Sequence, residues 1–268
     1  MSAYTSLKKV YVFLFARKAF FPLNRLMYKL SVHGMGVLNY ENDRVSGEAA
    51  FIRFLIKKNK LASGVIFDVG ANVGNYSVML IEKGATAPVY AFEPHPATFA
   101  ILQKSAEKNK FHAVEMGLSA SPMKAKIYDS AESDGSEHAS IFRNVIEKIH
   151  EYTVKETDIE LTSIDVFVKD NNISNISFLK IDTEGNELNV LKGATGCIAN
   201  NMIDIIQIEF NEMNIMSRTF LSDIINVLPG FEFYRLLPDS MYPLGKYRPL
   251  FHEIFAFQNI VAVRKGIL

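Results

Sequence analysis

From Gly64 onward the chain alternates between two hydrophobic rhythms. Short continuous apolar runs read as strands covered on both faces. Between them, apolar residues recur at helical spacing. The first run is VIFDV, residues 65–69, followed by a glycine-bearing turn. Further strands are expected at 89–93, 113–118, 176–181, 203–210, 231–236 and 260–264. Helices are expected at 76–83, ended by Gly84, and from Pro96 through Phe99, Leu102 and Ala106. Two more are expected at 163–170 and at 184–192, with Gly193 at the end of the second. The clearest amphipathic helix spans 218–228, with Phe220, Leu221, Ile224, Ile225 and Leu228 on one stripe. Ser217 can cap it and Pro229-Gly230 stops it. Residues 124–128 and 152–161 alternate like antiparallel strands and flank a polar, mobile tip at 129–140. Residues 237–258 form a long loop carrying Tyr242, Pro243, Tyr247, Pro249, Phe251 and His252, the character of a functional lid.

This strand–helix order predicts an α/β fold with a mostly parallel sheet and helices on both faces, carrying a small antiparallel insertion. Two regions follow: a helical N-terminal extension over 1–60 and the α/β domain over 61–268. The extension is rich in apolar and aromatic residues interleaved with Lys8, Lys9, Arg17, Lys18, Arg25 and Lys29. Its longest apolar run, VYVFLFA, is far short of the ~20 residues of a spanning helix. A basic amphipathic helix can lie on an anionic membrane. Packing on the main domain, with the basic ends snorkelling to water, is the preferred expectation.

Composition narrows the function classes. Hydrophobic residues make up 49% and charged residues 22%, as in a globular protein. Lys+Arg and Asp+Glu are both 29, so a general nucleic-acid binder is not expected. The single cysteine, Cys197, cannot form an internal disulfide and reads as a small apolar filler. It fits a reducing, cytoplasmic compartment, with membrane-peripheral contact left open.

Chemistry concentrates where strands end. Ligands in parallel sheets bind outside the carboxyl ends of the strands. Asp68, Glu93, Asp182 and Glu209 end four expected strands and would share one rim. The turn after Asp68 reads Gly70-Ala71-Asn72-Val73-Gly74-Asn75, in which Asn72 replaces the middle glycine of a dinucleotide fingerprint. Turn amides at a helix start favour a pyrophosphate, which a neighbouring carboxylate would repel. A cationic ligand would be attracted. S-adenosylmethionine, with its sulfonium and ammonium groups, is such a ligand. Glu93, nineteen residues after Gly74, can accept hydrogen bonds from both ribose hydroxyls. Nicotinamide enzymes share that acid, so Asp68 is the discriminating residue.

A second cluster, Leu179-Lys180-Ile181-Asp182-Thr183-Glu184-Gly185-Asn186-Glu187, spans a strand end and a helix start. Asp182 can orient a hydroxyl or take its proton. Glu184 can equally be a helix-capping acid. Asp182 and Glu209 could share a divalent cation through oxygen ligands, but two carboxylates do not make a metal site. His95 stands near the cofactor or simply opens a helix. His252, beside Glu253, is a base with a tunable pKa or a bystander.

The motifs DVGANVGNYS, YAFEPHP, EMGLSA, LTSIDVF, FLKIDTEGNELNVLKGA and IQIEFNE, in this order and spacing, resemble the FkbM-type methyltransferases. The resemblance runs from about Asp68 to Glu212. It implies a class I, Rossmann-like fold with a seven-stranded sheet. It also implies S-adenosylmethionine as cofactor and methyl transfer to hydroxyls of sugars or polyketides. Residue by residue, it implies cofactor contacts from Asp68, Gly70, Asn72, Gly74 and Glu93, with Gly117 and Leu118 near the adenine. Asn75 and Asp182 complete the expected cofactor-binding set. The resemblance marks Asp182, Glu184, Gly185 and Glu187 as a hallmark segment. The expected reaction is O-methylation of a small molecule, preferably a sugar, with Asp182, then Glu209, then His252 as candidate bases. The long loop and the extension are expected to close over the acceptor. The alternatives are a nicotinamide oxidoreductase and a cofactor-binding module without catalysis.

Overall fold

The computed structural model describes residues 3–130, 139–149 and 151–268. The chain begins with α1 (Ala3–Phe15), α2 (Phe21–Gly34) and α3 (Glu48–Lys57). The α/β succession follows as β1 (Val65–Val69), α4 (Asn75–Glu82), β2 (Val89–Phe92), α5 (Pro96–Asn109) and β3 (His112–Val114). The insertion contains β4 (Gly117–Leu118), β5 (Met123–Ser130) and β6 (Val154–Thr162). Then come α6 (Ile164–Asp170), β7 (Ile176–Ile181), α7 (Glu187–Lys192), α8 (Thr195–Ala199), β8 (Ile203–Phe210) and α9 (Met213–Ser217). The chain ends with α10 (Leu221–Val227), β9 (Phe231–Leu236), β10 (Met241–Pro243), α11 (Pro249–His252) and β11 (Gln258–Arg264).

One sheet runs in the order β10-β9-β11-β8-β7-β1-β2-β3. The pairs β1–β2, β2–β3, β1–β7 and β7–β8 are parallel. β11 returns antiparallel between β8 and β9. Seven strands form the body of the sheet, and the three-residue β10 is added at its edge. All six residues of β7 are buried, the pattern of a strand covered on both faces. One face carries α3, α4 and α5 through Phe51, Ile52, Leu55, Leu80 and Leu102. The other carries α6, α7 and α10 through Ile164, Val168, Val190, Leu191, Leu221 and Ile224. Each such side chain contributes about 1.5–3 kcal/mol by leaving water. α3, within the expected N-terminal extension, is thus part of the central core.

Several expected elements take a different form. The single strand expected at 113–118 is broken after Val114. Met116 N–H turns back onto the Val114 carbonyl, and Gly117–Leu118 leaves for a second sheet, β4-β6-β5. There β5 and β6 are antiparallel, as the alternation suggested. The tip expected at 129–140 falls mostly on residues 131–138, outside the described residues. Helix α7 begins at Glu187, not Glu184, because Glu184 and Gly185 have positive φ (50° and 105°) and form a turn. The helix expected at 218–228 begins at Leu221, because Arg218 is left-handed (φ 55°) and ends α9.

Ser217 therefore does not cap α10. Glu253 does, accepting from the N–H groups of Leu221 (2.8 Å) and Ser222 (2.9 Å) and from the Tyr247 hydroxyl. The long loop is anchored by this contact, by β10 and by Leu38 N–H donating to the Phe257 carbonyl (2.7 Å). Glu253→Ala is expected to lower stability by about 1–2 kcal/mol, the upper range for a lost helix cap. Urea unfolding measures this, and Glu253→Gln should recover part of the loss.

The N-terminal helices do not pack on the domain as expected. α1 buries no residue and α2 buries only Val32. Asn24 joins them, accepting from the Tyr11 hydroxyl (2.6 Å) and donating to the Phe15 carbonyl (3.0 Å). The chain enters the domain only beyond α2, where Val37 bridges to Gln258.

Candidate active site

The strand order reverses direction of connection at β1, which is flanked by β2 and β7. Loops leaving the carboxyl ends of β1, β2 and β7 diverge there, forming the crevice in which such sheets bind ligands. Gly70 makes the loop after β1 possible. Its φ is +78°, and a Cβ on it would lie 1.7 Å from the Asp182 carbonyl oxygen. The two rim loops therefore touch backbone to backbone. Gly74 (φ 91°) turns the chain into α4, whose first residue, Asn75, is exposed.

Glu93 holds this turn from the next strand. Its carboxylate accepts from Asn72 N–H (3.1 Å) and His95 N–H (2.8 Å). Asn72 has φ 49° and accepts at its own side chain from Val73 N–H (2.6 Å). Burial raises the Glu93 pKa to about 7, despite these two hydrogen bonds. His95 is buried at the start of α5. Gly117 lies buried against Leu161 and Pro94, and the Leu118 carbonyl accepts from Asn186 Nδ2 (3.0 Å). Glu93 and His95 thus follow the carboxyl end of β2, and Gly117–Leu118 form β4.

Asp68 sits one step below the rim. It is 1% exposed and accepts from Ser77 Oγ of α4 (2.6 Å). Burial raises its pKa to about 6, while Lys180 opposes the rise. Its carboxylate thus meets Ser77 and the field of Lys180 rather than the open crevice.

Lys180, for which the sequence suggests no role, is the central charge. It pairs in register with Asp68 on β1 and Gln207 on β8, so the three form a row across the sheet. Its Nζ lies 2.9 Å from Asp182 Oδ2 and 5.2 Å from the Tyr76 ring centroid. Burial alone would lower its pKa, but Asp182, Glu209, Glu48 and Asp68 together hold it above the ordinary lysine range. One buried ammonium therefore faces four acids. The row continues through Gln207, which donates to Glu48 (2.8 Å) and Asn259 (2.9 Å) and accepts from Tyr76 OH (2.7 Å). Asn259 Nδ2 is buried without a hydrogen-bond partner among the described residues.

Asp182 and Glu209 form the next row up, at the rim. The side chain of Asp182 is 30% exposed, and Lys180 takes one of its two oxygens. Glu209 is partly open, pairs in register with Asn259 and accepts from Asn211 Nδ2 (3.1 Å). Burial and the neighbouring Asp182 push the Glu209 pKa well above the ordinary carboxylate value. This corner can present a proton acceptor beside a protonated carboxyl, two roles set by environment. Among the described residues no cluster of three or more metal-ligating side chains occurs. The cation these acids share here is Lys180.

Glu187 builds the loop between them. It is 1% exposed, and one oxygen accepts from Thr183 N–H, Thr183 Oγ1 and Gly185 N–H (3.0 Å each). The other accepts from Asn214 (2.8 Å). Glu184 hangs from the same turn near Asn211 (3.3 Å). The insertion leans on this turn, with Ser140 Oγ donating to the Glu184 carbonyl (2.7 Å). His252 stands apart from the acids. It is buried in α11, its Nδ1 accepts from Arg248 N–H (2.9 Å), and its charged neighbours are Arg235, Glu253 and Arg248. Burial lowers its pKa. A groove of about 600 Å³ beside α10 and β9, lined by Ile225, Leu228 and Phe231, lies outside this constellation.

Two results are expected from Glu93. Glu93→Ala should weaken binding of a ribose-bearing cofactor by about 1.5–3 kcal/mol, the value of hydrogen bonds to a charged group. Calorimetry with S-adenosylhomocysteine checks this, and unchanged affinity removes Glu93 from the site. The raised pKa values also fix a pH dependence. Glu93 and Asp68 hold protons more tightly folded than unfolded, so their contribution to stability is present at low pH. It is lost as pH rises through about 6 to 7. The urea midpoint of the ligand-free protein should fall across that window, and Glu93→Gln should flatten the fall.

Comparison with known proteins places the chain in a family. The family model described as the methyltransferase FkbM domain matches residues 68–253. The hexuronic acid methyltransferase AglP of Haloferax volcanii is 28% identical over 162 residues, covering 60% of this chain and 62% of that protein. Methyltransferase 1 of Beauveria bassiana is 27% identical over 143 residues, covering 48% of this chain and 57% of that protein. The matches thus span about three fifths of these relatives' lengths. An O-methyltransferase from Bacillus cereus, solved in complex with S-adenosylhomocysteine, covers 97% of both chains at 10% identity and a TM-score of 0.41. With the family match covering well over half of its residues, this chain belongs to the FkbM methyltransferase family.

Proposed function

We propose that this protein methylates a hydroxyl group of a sugar or sugar-bearing small molecule, with S-adenosylmethionine as donor. The observation that carries the reading is the rim pair Asp182 and Glu209, of which Asp182 is bonded to buried Lys180, beside the Gly70–Gly74 turn. The residues present fit the donor. An acid-rich crevice suits a cationic ligand, and backbone contact at Gly70 leaves the turn free of side-chain bulk. Glu93 would hold the ribose hydroxyls, with Asn72, Gly74 and Asn75 forming the turn beneath. Gly117 and Leu118 would border the adenine, and Asp68 would act through Ser77 and Lys180. When bound, the donor supplies a methyl group on a positively charged sulfur.

The rest is work for this chain's own residues. Asp182 has one oxygen committed to Lys180, and its Oδ1 carries no protein partner among the described residues. That oxygen would accept the acceptor's hydroxyl proton. Glu209, whose carboxyl burial and Asp182 push toward the protonated form, would in that form donate to a neighbouring oxygen. One acceptor and one donor side by side match adjacent hydroxyls of a sugar ring. Holding the hydroxyl in line can supply roughly 7–11 kcal/mol of the barrier. A base such as Asp182 has a proton to take from a hydroxyl and none from a carboxylate, so a hydroxyl is the preferred acceptor even of an acidic sugar. His252 is the third candidate base, and its Nδ1 would first have to leave Arg248.

Isotopically labelled S-adenosylmethionine and a panel of neutral and acidic sugars test the reading. Label in an alkali-stable methyl ether supports it. Label in an alkali-labile methyl ester, or none in any sugar, counts against it.

A further inference from the structure

The α1–α2 hairpin presents an apolar surface that nothing among the described residues covers. Tyr4, Leu7, Tyr11 and Leu14 recur at helical spacing along α1 and are 39–73% exposed. Leu23, Leu26, Met27 and Leu30 do the same along α2 at 46–62% exposure. Monomeric proteins rarely leave contiguous apolar faces of this kind in water. The Asn24 bridge to Tyr11 and Phe15 holds the two helices together.

Charge selects the partner. Residues 1–40 contain six Lys and Arg and no Asp or Glu. The whole chain is neutral, so the remainder carries a matching acidic excess. Lys8, Lys9 and Arg17, with Thr5, Val12 and Phe13, line a groove of about 490 Å³ along α1. The groove residues lie mostly on the side of α1 away from Tyr4, Leu7, Tyr11 and Leu14, with Lys8 flanking that stripe, so long basic side chains can reach phosphate headgroups around an apolar face set in acyl chains. A second copy of the hairpin would bring six like charges against six. No described helix is long and apolar enough to cross a membrane. Thirteen residues of α1 span about 20 Å and suit a helix lying in the interface.

We propose that the α1–α2 hairpin docks this protein on an anionic lipid bilayer, with its exposed apolar side chains set in the acyl chains and its lysines and arginines reaching the headgroups. The hairpin carries this independently of the methyl-transfer reading. The test is flotation of the full chain with vesicles of phosphatidylglycerol and phosphatidylcholine, and with phosphatidylcholine alone. Binding is expected to the anionic vesicles and to weaken as salt rises. The double variant Lys8→Glu, Lys9→Glu should bind roughly tenfold more weakly or worse. Leu26→Ser with Leu30→Ser should also lose binding. Both sets lie outside the site, so S-adenosylhomocysteine affinity should hold and report correct folding. Absence of vesicle binding, equal binding to neutral vesicles, or indifference to both variants overturns the proposal. So does a dimer in analytical ultracentrifugation that the variants dissolve, without any vesicle affinity. No readout uses catalysis, so failure here leaves the methyltransferase reading standing.

Discussion

Gly70→Ala is expected to abolish measurable S-adenosylhomocysteine binding and to destabilise the fold. The added Cβ would meet the Asp182 carbonyl oxygen at 1.7 Å and its carbonyl carbon at 2.8 Å. Both are backbone atoms, so no side-chain rotation relieves the clash. The φ of +78° adds a penalty for any L-residue. Strain and overpacking each cost about 1–3 kcal/mol. The chain can escape only by parting the β1 and β7 loops, which separates Asp182 from the turn. Gly34→Ala is the control, because a Cβ there would meet nothing within 4 Å. Urea unfolding and calorimetry decide the matter. Wild-type midpoint and affinity in Gly70→Ala would mean that the loops are not in contact.

Asp182→Asn is expected to lower turnover by ~10²-fold or more while cofactor affinity changes little. The substitution keeps size and removes charge. Lys180 retains Glu48, Asp68 and Glu209 as acidic neighbours. If Asp182 accepts the proton, the deficit should shrink as pH rises and the hydroxyl ionises more readily. Helix capping does not explain such a loss, because α7 begins five residues later at Glu187. Metal ligation makes a different mark, with wild-type activity lost to chelator and restored by divalent cation. Glu209→Gln should cost less, because the replacement still donates a hydrogen bond. Wild-type turnover in Asp182→Asn would end its catalytic assignment and shift attention to Glu209 and His252.

Strand patterning made most of the sheet readable in advance, because VIFDV, ISFLKI and IDIIQIEF are short runs dominated by apolar residues. Failures lay where local rules compete. Val114 and Gly117 belong to one apolar stretch, yet a tight turn at Met116 sends them to different sheets. Glu184 reads as a helix-starting acid, and only its left-handed backbone excludes that role. The cap of α10 comes from Glu253, thirty-two residues from Leu221, which no local pattern reveals. The N-terminal stripes looked like a packing surface, and the structure leaves them in water.

The rim acids were legible because strand ends and acids coincide in the sequence. The row beneath them was not. Lys180 and Gln207 did leave a signal, polar residues inside otherwise apolar strands, which marks a buried polar site. Glu48 and Asn259 left none, since their approach to Gln207 depends on how α3 and β11 pack. Asp68 pointed to a cationic environment, and much of that cation is the chain's own Lys180.

The most direct measurement is calorimetric titration of the intact protein with S-adenosylhomocysteine and, separately, with NADH. Saturable one-to-one binding of S-adenosylhomocysteine, weakened in Glu93→Ala, with no heat from NADH, is the expected result. Binding of NADH without S-adenosylhomocysteine would contradict it.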